Sequence, residues 1–135
     1  MNSQQTVVEI DGWTFGRRIP ATPGPYPVIV LLHGWTGDEN SMGVFTPRLP
    51  QDALLLAPRG LYPTPLGGYG WHVYKPAYWP WVDDFQSAID SLINVLTPEN
   101  FPGGDFTQFS LFGFSQGAAC SSALCLVHPW RVSRG

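Results

Sequence analysis

A serine between two glycines, Gly113-Phe-Ser-Gln-Gly117, constrains the fold of this chain more than any other segment. The apolar run 109–114 leads into it, and the alanine-rich stretch 116–127 follows it at once. The first is typical of a strand buried on both faces, and the second of a helix packed on a sheet. The segment therefore predicts a tight turn that joins a buried strand directly to a helix.

A G-x-S-x-G turn in this setting presents a serine hydroxyl, which is a weak nucleophile until a base removes its proton. Gly113 and Gly117 supply positions without side chains where strand and helix meet. The pattern predicts that Ser115 is a catalytic nucleophile. The alternative is an ordinary strand-to-helix turn in which a serine happens to lie between glycines.

The remaining pattern indicates an α/β fold with a mostly parallel sheet, helices on both faces and an N-terminal antiparallel hairpin. The 135 residues predict one domain, which we expect to be incomplete after the helix that follows Ser115. The predicted elements are buried strands at 28–32 and 53–57, hairpin strands at 6–10 and 13–19 joined by Asp11-Gly12, a helix at 83–96 and a weaker one at 39–49.

Composition excludes several kinds of partner. The formal charge is −3 and only 13% of residues are charged, so nothing indicates nucleic-acid binding. No apolar run approaches the roughly 18 residues of a membrane span, and residues 1–5 show neither the basic nor the apolar region of a secretory leader, so we expect none there. Cys120 and Cys125 lie five apart on a predicted helix and point to different faces, which disfavours a disulfide or a metal pair. We expect a cytoplasmic protein without a metal.

The segment 31–37 ends the strand 28–32 in a glycine-bearing loop. In this type of fold, such a loop supplies one backbone N–H of an oxyanion hole, and the residue after the nucleophile supplies the other. The predicted donors are therefore the N–H groups of Trp35 and Gln116. His33 either braces this loop or serves as a base.

The loop 61–82 follows a strand at the end where open α/β sheets bind ligands, and it is rich in aromatic residues. It is predicted either to wall a substrate pocket or to pack its aromatics for rigidity. The candidate pocket residues are His33, Trp71, Trp79 and Trp81.

Three segments, 32–40, 57–60 and 113–119, together resemble the phospholipase/carboxylesterase branch of the α/β-hydrolases, which includes acyl-protein thioesterase-like enzymes. The resemblance implies hydrolysis of small-molecule carboxylic esters, with thioesters as further substrates, through an acyl-enzyme on Ser115 and without a cofactor. A transferase or a lipase with the same turn is the weaker alternative.

The resemblance also implies that the acid and the histidine of the triad lie beyond residue 135. The segment 116–135 holds no acidic residue and one histidine, His128, which a helix of this length puts about 20 Å from Ser115. His72 has no feature that directs it to Ser115. We therefore expect either a companion chain or self-association through an unpaired 109–114 edge, and the alternative is an inactive fragment or binding module.

Overall fold

The computed structural model describes residues 4–78 and 80–135. Its main sheet has six strands in the order β1-β2-β4-β3-β7-β8, and β5 and β6 form a separate pair. The strands are β1 Gln4–Ile10, β2 Trp13–Ile19, β3 Val28–Leu32, β4 Leu54–Pro58, β5 Tyr62–Pro63, β6 Tyr69–Gly70, β7 Phe109–Gly113 and β8 Val132–Arg134, and the α-helices are α1 Gln86–Val95 and α2 Gln116–Val127.

The sheet has the predicted mixture of strand directions. β1 and β2 pair antiparallel, and β2 continues antiparallel onto β4, whereas β3 pairs in parallel with both β4 and β7. Asp11 and Gly12 both have positive φ, 49° and 83°, which is the backbone of a tight two-residue hairpin turn. The predicted hairpin and the mostly parallel α/β sheet are confirmed.

Helical segments cover both faces of the sheet. One hydrophobic cluster joins α1 and α2 to side chains such as Val30, Leu32 and Leu56. The other face carries a smaller cluster around Leu31 and Met42. There the predicted helix 39–49 is two 3-10 helices, Ser41–Val44 and Thr46–Arg48, because Pro47 cannot donate a helical hydrogen bond. The start of the predicted helix 83–96 is also 3-10, at Val82–Phe85.

The expectation of an unpaired edge on the 109–114 strand was wrong. β8 pairs with it in parallel, with Phe109 opposite Val132 and Ser110 opposite Arg134. β8 has three residues and follows the short 3-10 helix Pro129–Arg131. A strand this short shows no recognisable alternation of apolar and polar residues, so the sequence did not predict it. Because β8 occupies this edge at Phe109 and Ser110, the reason for expecting self-association through it is removed. None of the described helices is long and apolar enough to cross a bilayer.

The core can be tested with two leucines that differ in burial. Leu56 is 0% exposed on β4, whereas Leu66 is 79% exposed on a turn. We expect Leu56→Ala to lower the free energy of unfolding by about 3 kcal/mol, because it leaves a cavity in the sheet–helix interface. Leu66→Ala is expected to change it by less than about 0.5 kcal/mol in the same denaturant titration. Equal losses in the two variants would contradict this arrangement of the core.

Candidate active site

Ser115 stands at the turn between β7 and α2 with φ 57° and ψ −118°. This is a sparsely populated conformation for a residue with a side chain, and it is the kind of backbone strain that collects at functional sites. The side chain is exposed, and its hydroxyl makes no capping bond to the helix. The turn is held by backbone bonds from Gly117 N–H to Phe114 O at 2.9 Å and from Phe114 N–H to Leu32 O at 3.1 Å.

The two flanking glycines lie where backbones come too close for a side chain. A Cβ at Gly117 would be 2.0 Å from the carbonyl oxygen of Leu32 and 2.5 Å from that of His33. A Cβ at Gly113 would be 2.5 Å from the Gly117 carbonyl oxygen. The start of α2 is therefore packed closely against the ends of β3 and β7. This close packing sets the position of Ser115 relative to the sheet.

The turn 34–37 lies beside Ser115. Gly37 N–H donates to Gly34 O at 3.0 Å, and a Cβ at Gly34 would be 3.3 Å from the Ser115 Cβ. The turn is hydrogen-bonded to the loop 61–82, which we call the aromatic loop, in both directions. Thr36 N–H donates to Tyr69 O at 3.0 Å, and Tyr69 N–H donates to Gly37 O at 2.9 Å. It is therefore held on two sides next to the serine.

Trp35 lies in the turn 34–37, and Gln116 directly follows Ser115 at the start of α2. Neither backbone N–H donates to a protein acceptor among the residues that the structure describes, while neighbouring N–H groups of the same two turns do. Backbone N–H groups at a helix N-terminus, where Gln116 lies, favour an acceptor that carries negative charge.

His33 is fully buried, so the expectation that it lines a pocket was wrong. It braces the loop instead. Its Nδ1 donates to Gly34 O at 2.6 Å, and its Nε2 accepts from Gly60 N–H at 2.9 Å. The carbonyl oxygen of the same residue accepts from Trp71 Nε1 at 2.9 Å. Burial lowers the pKa of the imidazole below its ordinary value, so the ring is neutral with both nitrogens engaged.

The three candidate tryptophans have different surroundings. Trp71 is 0% exposed and stacks on Trp13, with ring centroids 6.2 Å apart, so the pocket expectation was wrong for Trp71. Trp81 is 71% exposed and lines neither of the two pockets that open beside Trp35, which are described below. Trp79 lies outside the described residues.

The side chain of Gln116 makes a connection that the sequence did not predict. Its Oε1 accepts from Trp71 N–H at 2.9 Å, and its Nε2 donates to His72 Nε2 at 3.2 Å. The His72 ring can accept there because its Nδ1 donates to Val73 O at 2.8 Å. The first residue of α2 is thus tied to the aromatic loop, and the only sequence signal was a long amide where the turn requires just a backbone donor.

An ion pair beneath the loops was also missed. Arg59 donates two parallel hydrogen bonds to the Glu39 carboxylate, at 2.7 and 2.8 Å, and its guanidinium lies 4.7 Å from the centre of the Tyr69 ring. Hydrogen bonding to Arg59 lowers the pKa of Glu39, and the same bonds raise the pKa of Arg59. This bidentate pair joins the end of β4 to the loop that follows the turn 34–37.

Two pockets open on either side of Trp35. One, of about 410 Å³, lies against the aromatic loop, and the other, of about 330 Å³, lies against the 3-10 helices. The first is lined by Trp35, His72, Tyr74, Lys75, Ala77, Tyr78, Pro80 and Gln116. The second is lined by Gly34, Trp35, Thr36, Gly37, Ser41, Met42, Val44, Phe45 and Phe114.

No histidine in the described part of the chain is bonded to Ser115. The rings of His33 and His72 are engaged as above, and His128 at the end of α2 bonds to Asp90 at 3.0 Å. Asp84 accepts from Trp81 N–H at 2.7 Å and caps the 3-10 helix that precedes α1. Across residues 4–78 and 80–135, no group of three or more His, Cys, Asp or Glu side chains could hold a metal ion.

No protein-family model and no curated protein matches the sequence. Solved structures do match the fold. A carboxylesterase from Mesorhizobium loti superposes with a TM-score of 0.74 and 21% identity, over 95% of this chain and 61% of that one. The thioesterase domain from the curacin biosynthetic pathway gives 0.56 and 20%, over 98% and 44%. The 2-hydroxy-6-oxo-6-phenylhexa-2,4-dienoate hydrolase from Rhodococcus sp. strain RHA1 gives 0.59 and 18%, over 97% and 44%.

The chain therefore has the α/β-hydrolase fold, and its structural neighbours include carboxylesterases, thioesterases and other α/β-hydrolases. It spans less than two thirds of the length of each of these three structures, between 44% and 61%.

Two glycine substitutions separate backbone strain from steric overlap. Gly12 has φ +83° with open space around it, whereas a Cβ at Gly117 would overlap the Leu32 carbonyl. We expect Gly12→Ala to lower the free energy of unfolding by about 1 kcal/mol, the cost of a left-handed residue. Gly117→Ala is expected to cost more than twice that amount in a urea titration, because α2 must move away from β3. Equal losses of unfolding free energy in the two variants would show that α2 and β3 are not in tight contact at Gly117.

The neutral state of His33 predicts a pH-dependent stability. The unfolded chain binds a proton at this residue near pH 6.5, whereas the folded chain resists protonation until a lower pH. Since the unfolded state then binds more protons, the stabilisation is present above about pH 6.5 and is lost as the pH falls toward the folded pKa.

His33→Gln removes this titration, although it also lowers stability by breaking buried hydrogen bonds. We expect the free energy of unfolding of the variant to decline less between pH 7 and pH 5 than that of the unmodified chain. Parallel declines, measured by urea titration at each pH, would contradict a buried neutral imidazole.

Proposed function

We propose that this chain carries the nucleophile and the oxyanion hole of a carboxylesterase-type serine hydrolase that also accepts thioesters, as in the phospholipase/carboxylesterase branch. The observation that carries the proposal is the juxtaposition of an exposed, strained Ser115 with the unpaired N–H groups of Trp35 and Gln116. The elbow glycines Gly113 and Gly117 hold that juxtaposition.

In this proposal, the Ser115 hydroxyl oxygen attacks the acyl carbon of an ester while a base takes its proton. The carbonyl oxygen becomes negative and accepts hydrogen bonds from the N–H groups of Trp35 and Gln116. The alcohol or thiol then leaves with the proton, which gives an acyl-enzyme on Ser115. Water attacks that ester in the same way, so that the carboxylic acid is released and the hydroxyl is restored.

We infer that the base and its orienting acid come from outside the described residues, either from a longer form of this chain or from a companion chain. The supporting observation is that each described histidine has other partners, and two of the three have both ring nitrogens engaged. The two free cysteines, Cys120 and Cys125, are in keeping with a reducing compartment, and we propose the cytoplasm.

The second candidate is a module that keeps the scaffold and binds without catalysis. The same engaged histidines favour it, because a serine without a base has the reactivity of an ordinary alcohol. The two candidates differ in whether Ser115 reacts when a base is supplied.

Labelling with a fluorophosphonate probe, with and without added imidazole, separates them. Because a positioned base contributes about 10²- to 10⁴-fold, we expect free imidazole to raise the labelling of the chain by at least about tenfold. Ser115→Ala should abolish labelling. Ser122→Ala is the matched control, since it removes another exposed serine, on α2, whose hydroxyl bonds to Ala118 O at 3.1 Å.

Strong labelling without imidazole would show that a base is already present and would contradict the external base. An absence of labelling under both conditions would contradict the hydrolase proposal and favour the binding module. Labelling that survives Ser115→Ala would show that another residue reacts.

A further inference from the structure

The side chain of Gln116 is held in a way that an oxyanion hole does not by itself require. The proposed mechanism uses only the backbone N–H of this residue. Both polar atoms of its amide are nevertheless bonded, since Oε1 accepts from Trp71 N–H at 2.9 Å and Nε2 donates to His72 Nε2 at 3.2 Å. Because two bonds fix the direction of the amide, they also restrict where the backbone of Gln116 can lie.

The segment 70–72 of the aromatic loop, which supplies both partners, also touches Trp35. A Cβ at Gly70 would be 2.8 Å from Trp35 Cδ1 and 3.2 Å from Gln116 Oε1. The backbone of Gly70 therefore lies close to both side chains. One short stretch of the loop thus contacts each of the two residues that supply the proposed oxyanion donors.

This segment is itself fixed to the core. Trp71 is fully buried, stacks on Trp13 and donates from Nε1 to His33 O at 2.9 Å. His72 is 9% exposed, and its ring lies edge-to-face on buried Phe85 with centroids 5.6 Å apart. A side chain that is bonded to Trp71 and His72 is therefore bonded to a rigid part of the molecule.

The surroundings of His72 make its ring an acceptor toward Gln116. Its Nδ1 donates to Val73 O at 2.8 Å, so Nε2 presents a lone pair to Gln116 Nε2. With a donor at Trp71 N–H and an acceptor at His72, only one of the two flipped orientations of the amide satisfies both partners. A ring without this lone pair would leave the amide with one bond in place of two.

We propose that His72 is a positioning residue of the oxyanion hole, which acts through the Gln116 side chain to fix the direction of the Gln116 backbone N–H. This inference rests on the proposed function, since it takes Ser115 as the nucleophile and Gln116 as an oxyanion donor. The bond between His72 and Gln116 requires no reaction, so its effect can also be measured without labelling.

Two substitutions of His72 separate a lost hydrogen bond from lost packing. His72→Phe keeps an aromatic ring against Phe85 without the lone pair, whereas His72→Gln supplies a carbonyl oxygen that can accept from the Gln116 amide. We expect His72→Phe to lower the rate of fluorophosphonate labelling with imidazole about tenfold, because a displaced donor stabilises the transition state less. His72→Gln should label at close to the rate of the unmodified chain.

His128→Phe is the matched control, since it removes a histidine at the far end of α2, where the ring bonds to Asp90 at 3.0 Å. Its labelling rate should equal that of the unmodified chain, and melting temperatures check that each variant is folded. A His72→Phe rate equal to that of the unmodified chain, or a His72→Gln rate as low as that of His72→Phe, would overturn the proposal.

Gln116→Met tests whether His72 acts through Gln116, and it serves alone if His72→Phe does not fold. It keeps the backbone N–H and the length of the side chain but removes both bonds of the amide. Labelling should fall at least as far as in His72→Phe, and adding His72→Phe to this variant should have no further effect. Unchanged labelling in Gln116→Met, or a further loss in the double variant, would overturn the proposal.

Hydrogen exchange at Trp71 N–H, followed by NMR, keeps the test independent of the proposed function. We expect His72→Phe to speed this exchange about fivefold relative to Gly60 N–H, because a Gln116 amide with one bond holds Trp71 less firmly. Faster exchange in a chain that is never labelled would support the hold on Gln116 and contradict the hydrolase. Equal labelling of Ser115 in all His72 variants would support the hydrolase and overturn the positioning role, as would unchanged exchange.

Discussion

The contact between the first turn of α2 and the end of β3 sets the geometry of everything around Ser115. At Gly117 the helix backbone approaches the carbonyls of Leu32 and His33 so closely that no side chain fits. A larger residue would lift α2 and carry Ser115 away from Gly34. The distance between the proposed nucleophile and the proposed oxyanion donors is thus fixed by backbone against backbone, which deforms far less easily than a contact between side chains.

A second layer of constraints holds the loop that faces the serine. His33 joins three segments, because its ring bonds to Gly34 and Gly60 and its carbonyl bonds to Trp71. A buried polar group with every partner in place favours one arrangement, since any alternative would leave a polar atom unpaired at low dielectric. A catalytic base needs a ring nitrogen with a free lone pair. In His33 the lone pair of Nε2 accepts the hydrogen bond from Gly60 N–H, so this ring is not available as a base.

The sequence could predict the parts of this fold that repeat a pattern. β3, β7 and α2 were visible because the two strands are mostly apolar and the helix is rich in small residues. The bond between Gln116 and His72 was not, since hydrogen bonds between distant side chains leave no periodic trace. The aromatic loop has no period either, so nothing in the sequence distinguished buried Trp71 from exposed Trp81.

The conformation of Ser115 bears on the choice between an enzyme and a passive scaffold. A non-glycine residue in a sparsely populated backbone region costs of order 1–3 kcal/mol, and glycine would occupy φ 57° without that cost. Elsewhere in the described residues, four glycines occupy positive φ, as do the non-glycine residues Asp11, Thr36 and Ala77. The Ser115 side chain makes no capping hydrogen bond to α2 that would offset the cost of this conformation. Backbone strain of this kind collects at functional sites, and it is in keeping with the proposal that Ser115 is a nucleophile.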